Sequence, residues 1–101
     1  MKQTSQKMIA QSERTALLEK VQGESDYKKA AELYQEKTGR YIHYRYLYKF
    51  LSGQRHITGK KPGSHQPLDM YTAVVDAIKK REMEVEEMTG KAREIRQALA
   101  A

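Results

Sequence analysis

From Lys37 to Leu68 the chain carries seven Lys or Arg residues and no Asp or Glu. Its centre reads Arg40-Tyr41-Ile42-His43-Tyr44-Arg45-Tyr46-Leu47-Tyr48-Lys49-Phe50-Leu51-Ser52-Gly53-Gln54-Arg55, and five of the eight aromatic residues fall within ten positions there. Cations bind phosphates through space, and a tyrosine adds a hydroxyl for hydrogen bonding and a ring for stacking. This residue mixture makes the segment the candidate contact surface for a nucleic acid. Its alternative reading is a solvated basic face.

The other chemistries are poorly provided for. There is no cysteine, which removes disulfides, thiol catalysis and thiolate-bound zinc. His43, His56 and His65 lack metal-ligand spacing, so no metal and no cofactor are expected. Glu82, Glu84, Glu86 and Glu87 point several ways on a helix and read as a solvated face. No Gly-rich phosphate loop, paired-carboxylate motif or nucleophile elbow occurs, and an enzyme is not expected.

At 101 residues the chain is read as one domain. Its mean hydropathy of -0.87 implies a thin core, or one completed by a partner subunit. No stretch approaches the roughly 18 apolar residues that span a bilayer. The first residues, Met1-Lys2-Gln3-Thr4-Ser5-Gln6-Lys7, lack the apolar run of a secretory signal. A cytoplasmic protein without a membrane partner is the expectation. The net charge of +6 is unevenly spread: residues 23–63 hold nine basic and four acidic side chains, residues 64–101 six and seven. The excess lies where a polyanion would be met.

Four to five helices are expected to position these residues, giving an all-α fold. A first amphipathic helix spans about Ser5 to Gln22 and ends at Gly23. A second runs from a Ser25 or Asp26 N-cap to about Lys37, with Tyr27, Ala30, Ala31 and Tyr34 as its inward stripe. Gly39 is placed to stop it in the left-handed conformation. The core is assigned Tyr27, Tyr34 and Tyr71.

Tyr41–Leu51 admits two readings. Ile42, Tyr44, Tyr46, Tyr48 and Phe50 alternate as in a strand. With helical period, Ile42, Tyr46, Leu47, Phe50 and Leu51 share one face, and Tyr44, Arg45, Tyr48 and Lys49 the other. Two facts favour the helix: the chain has no second strand of similar length, and Ser52-Gly53 ends the segment as a helix ends. Residues 53–67 form a long basic loop.

From about Leu68 to Leu99 a long helix is expected. Tyr71, Val74, Ile78, Arg81, Val85, Met88, Ala92, Ile95 and Leu99 recur at steps of three and four, a heptad seam interrupted by Arg81. Val74, Ile78, Val85, Met88, Ala92, Ile95 and Leu99 are the candidate dimer seam. The same seam equally suits packing on the first helix of its own chain.

Read as helices, residues 26 to 55 resemble the helix-turn-helix of lambda-repressor/Cro-type DNA-binding proteins. Ala30-Ala31-Glu32-Leu33-Tyr34 resembles the first helix of that motif, Ile42 the apolar residue after the turn, and Leu47, Phe50 and Leu51 the buried face of the second helix. Ser52-Gly53-Gln54-Arg55 resembles its exit. The chain departs from the pattern in placing Arg40 and Tyr41 where the family usually has no residues. The resemblance implies a small bacterial or phage-type transcriptional regulator that binds double-stranded DNA as a homodimer. It further implies that His43, Tyr44, Arg45, Tyr48 and Lys49 read bases in the major groove, with Arg45 suited to guanine. Lys37, Arg40, Gln54, Arg55, Lys60 and Lys61 would flank them as phosphate contacts. Two alternatives stand beside it: an RNA or single-strand binder that stacks bases on the tyrosines, and a helical protein-interaction module that binds no nucleic acid.

Overall fold

A computed structural model describes residues 9–55 and 57–100. The fold is all-α. Among the described residues there are four helices and no strand: α1 Gln11–Lys20, α2 Glu24–Thr38, α3 Tyr44–Ser52 and α4 Pro67–Ala100. The part of the expected first helix before Ile9 lies outside the described residues, as does His56. No described helix is long and apolar enough to cross a membrane.

The segment with two readings is a helix. Only residues 41–43 stay irregular before α3 begins. A nine-residue helix is marginal on its own. α3 is held by burying Leu47, Phe50 and Leu51 essentially completely, with Ile42 just ahead of it. Each such side chain contributes about 1.5–3 kcal/mol on leaving water. Gly53 then stops the helix at φ 81°, and a Cβ there would lie 2.8 Å from the Gln11 side chain of α1. Gly39 ends α2 in the same left-handed conformation, as its position in the sequence implied.

The start of α2 differs from expectation. Neither Ser25 nor Asp26 is the N-cap; Gly23 is, in extended backbone and without a capping side chain. Asp26, in the first turn, instead reaches back to accept from the Gln22 N–H at 2.9 Å. The same carboxylate accepts from Arg81 Nε at 3.0 and 3.2 Å, and Arg81 also donates to the Lys20 carbonyl at 3.2 Å. The interruption in the heptad seam is therefore a structural contact. It fastens α4 to the junction of α1 and α2.

α4 runs antiparallel to α2. Asp26 at the start of α2 meets Arg81, and Tyr34 near its end meets His65, just before α4 begins. Buried Ala30 on α2, with Ala73 and Ala77 on α4, allows close approach along this pairing. Val74 and Ile78 are buried in this core, and Met70 with them. These two residues thus belong to the chain's own interior and not to a dimer seam, which corrects the sequence reading for the first half of α4. Tyr27 and Tyr34 are core residues as expected, whereas Tyr71 is only partly buried against it.

Glu84 still shares a hollow with Ser25, Asp26 and Lys29 at the start of α2, and beyond it α4 projects. The molecule measures 63 × 29 × 28 Å. Val85, Met88, Ile95 and Leu99 are all exposed on this projection, Leu99 by 83%.

The long basic loop is well anchored. Ile57 is buried, the Gln66 amide donates to the Gly59 carbonyl at 3.0 Å, and Arg40 donates to the carbonyls of Ser64, at 3.1 Å, and Gly63. His65 Nδ1 lies 2.6 Å from the Tyr34 hydroxyl, with the rings of Tyr34 and Tyr46 edge-on to the imidazole. Burial, and then the Arg40 charge, hold the His65 pKa below its ordinary value.

Two outcomes follow from these contacts. Asp26→Asn removes the buried carboxylate that pairs with the half-buried Arg81 and is expected to lower unfolding free energy by about 1–3 kcal/mol in urea denaturation. Because folded His65 binds fewer protons than the unfolded chain below its ordinary pKa, stability is complete above about pH 6.5 and falls as pH drops below it. Thermal melts of the wild type and His65→Gln across pH 7.5 to about 5 should differ in this slope, the variant's being the shallower.

Candidate nucleic-acid interface

The candidate surface is the outer face of α3 and the start of α2 beside it. His43 is the N-cap of α3, its Nδ1 accepting from the Arg45 N–H at 3.1 Å. A capping histidine leaves one orphan helix donor satisfied. The imidazole also stacks on Tyr44, with centroids 4.7 Å apart. His43 is therefore engaged in starting the helix, and it does not line the groove formed by the other four base-reading candidates.

Those four come together. Tyr44, Arg45, Tyr48 and Lys49, with Gly23, Glu24, Tyr27 and Gln54, line a groove of about 440 Å³. Arg45 and Lys49 are exposed, and Tyr48 is 42% exposed. Two of the tyrosines are held from behind. Tyr44 donates its hydroxyl to the Glu24 carboxylate, and Tyr48 meets the Tyr27 ring edge-on at 5.8 Å. Lys28 Nζ lies 5.4 Å from the Tyr44 ring and the Arg45 guanidinium 6.0 Å from it. Such cation–ring contacts bias long side chains towards one region of the surface.

The electrostatics of the groove turn on Glu24, which the sequence reading left out. The Tyr44 hydrogen bond first, then the positive charge of Lys28, hold its carboxyl below the usual carboxylate range. An ionised acid thus sits at the edge of an otherwise cationic groove. Tyr27, assigned wholly to the core, also contributes a groove wall; burial first, then Tyr48 and Asp26, push its pKa up to about 12, so it remains a neutral phenol. Neither role was visible in periodicity, since Glu24 and Tyr44 lie twenty positions apart and meet only through the crossing of α2 and α3.

The expected phosphate contacts divide. Gln54 joins the groove. Arg55 and Lys61 share a separate hollow of about 230 Å³ with Tyr46, Thr58 and Ser64, and the Arg55 guanidinium lies 5.2 Å from the Tyr46 ring. Lys37 is exposed on the last turn of α2, and Lys60 is exposed on the loop. Arg40 differs from the rest: its guanidinium clamps the loop carbonyls described above, so its first role is structural. Arg14, which the sequence did not single out, is buried against α3, donating to the Phe50 carbonyl at 3.4 Å with its charge 5.4 Å from the Phe50 ring. A cation there suits the carbonyl end of a helix.

The chain was compared with protein-family models, curated proteins and solved structures. None matches it. Among the described residues, no group of three His, Cys, Asp or Glu side chains is gathered to hold a metal ion.

Tyr44→Phe removes the hydrogen bond that contributes most to the low Glu24 pKa. The Glu24 carboxyl should then titrate closer to its ordinary value, read from side-chain carboxyl chemical shifts across the acid range.

Proposed function

We propose that this chain is a double-stranded DNA-binding regulator of helix-turn-helix type, acting as a dimer through the distal half of α4. The observation that carries the reading is the two-sidedness of α3. Its inner face, Leu47, Phe50 and Leu51, is sealed in the core, while its outer face presents Arg45, Tyr48 and Lys49 in a stretch of chain without one acidic residue. A helix presented in this way on a short connection from α2 fits the role of a major-groove reader. Arg45, near the helix N-terminus, has the fork geometry for guanine O6 and N7. Tyr44 and Tyr48, braced by Glu24 and Tyr27, limit the groove's freedom to rearrange, which lowers the ordering cost of binding. Arg55 and Lys61 take the flanking phosphates, which fix register and carry no base information.

Recognition of a single strand is the second reading, and the cluster of Tyr27, Tyr44 and Tyr48 around the groove favours it. The exposed faces of Tyr44 and Tyr48, between cations and backed by buried Tyr27, suit the stacking of unpaired bases.

Fluorescence anisotropy of a labelled random duplex and its matched single strand, titrated between about 50 and 200 mM salt, separates the readings. Tighter duplex binding with a steep inverse salt dependence is expected. Preference for the single strand would replace the proposal with the stacking reading, and no binding to either would make the basic face a protein-docking surface. On a selected duplex, Arg45→Ala should cost about 1–3 kcal/mol of base discrimination at one position. Lys61→Ala should instead weaken all sequences alike and reduce the salt slope by about one.

A further inference from the structure

The exposed half of α4 carries a stripe of Val85, Met88, Ala92, Ile95 and Leu99 with none of the other described elements against it. Building on the dimer proposed above, we infer that its occupant is a second copy of α4 running antiparallel. Three observations converge on that orientation.

The first is steric. Parallel, in-register helices share one face along their whole length, about 8–10 Å apart. In this chain that face is already filled at Val74 and Ile78 by the protomer's own core, with α2 lying over it. A parallel partner would run into α2. An antiparallel partner ends where α2 begins.

The second is charge. Setting Val85 opposite the partner's Ile95 puts Met88 opposite the partner's Ala92, with the two-fold axis at the level of Gly90. Glu82 then flanks the partner's Arg96, and symmetry makes this pair twice. Thr89 meets its own copy, and Lys91 meets Lys91 once. The parallel arrangement instead sets Lys91 beside the partner's Arg96 twice and makes no opposite-charge pair. Flanking charges of this kind decide orientation more than they supply affinity.

The third is the groove between α1 and α4, of about 480 Å³, walled by Leu17, Val75, Ile78 and Glu82 among others. It lies on the proximal continuation of the same heptad edge. In the antiparallel register the partner's Leu99 arrives at Arg81, beside the mouth of this groove, where an otherwise solvated side chain finds apolar cover. The parallel register brings no side chain there.

The absence of cysteine from the chain makes orientation directly measurable. Val85→Cys and Ile95→Cys lie on the exposed stripe and leave the core untouched. Antiparallel pairing holds each residue about 15 Å along the axis from its own copy, beyond disulfide reach, but opposite the other position. Mixing the two variants, one carrying a size tag, and oxidising at a concentration where sedimentation equilibrium shows dimer should give the mixed disulfide and neither homodisulfide. Homodisulfides of each variant alone overturn the antiparallel assignment while leaving the dimer intact. A monomer at all accessible concentrations overturns the assignment and the dimer together. As an independent check, Glu82→Lys should weaken the dimer about 10-fold, and adding Arg96→Glu should restore it. Failure of the second substitution to rescue the first counts against this register.

Discussion

The buried carboxylate of Asp26 ties together three helices through the partly exposed Arg81. It receives the Gln22 N–H, compensates the N-terminal dipole of α2, and holds the guanidinium of Arg81, which in turn donates to Lys20 at the end of α1. Burying a carboxylate costs several kcal/mol, which only well-formed hydrogen bonds offset. With Asp26 just 3% exposed, the contact is specific: it fixes where along α4 the globular part ends. The antiparallel packing of α2 on α4 and the freedom of the distal helix accord with that registration, while Arg40 and His65 anchor the basic loop at the opposite end of α2.

How far the sequence revealed this depends on the kind of contact. Local and periodic features were legible. The left-handed stop at Gly39, the helix end at Gly53, the α4 start at Pro67, one residue from its expected position, and the helical face of Leu47, Phe50 and Leu51 rest on backbone sterics and on burial with period 3.6. The alternation of Ile42, Tyr44, Tyr46, Tyr48 and Phe50 was a competing signal with equal local merit. It lost because a strand needs a neighbour and the core offers a helix-shaped place instead. Features joining distant positions were not legible. A carboxylate at 26 reads as a cap until a guanidinium 55 residues later is known to reach it. Arg40 reads as a phosphate ligand until the loop carbonyls come within range.

The heptad pattern shows this limit most clearly. Steps of three and four say that one face of α4 is buried, but they do not say by what. The face divides at Arg81: Val74 and Ile78 join the core, and Val85, Met88, Ile95 and Leu99 are exposed among the described residues. The candidate interface shows a related division. Residue type correctly gathered Tyr44, Arg45, Tyr48 and Lys49 into one groove, yet the acid that shapes its field, Glu24, comes from another helix. A groove with cations at its rim and one ionised carboxylate at its edge is more selective in where it accepts a phosphate than a uniformly basic face.

Because α4 is continuous from the core to its far end, it acts as a ruler between the proposed reading faces. Each residue between Arg81 and the two-fold axis advances the head by about 1.5 Å and turns it by about 100°. In the proposed dimer, separation and rotational phase are thus coupled and set by the length of one helix, with no hinge to absorb a mismatch. Lineages of such a chain can lengthen this arm in multiples of about seven residues and keep both seam and phase. Shorter insertions change which side of a duplex the second head meets.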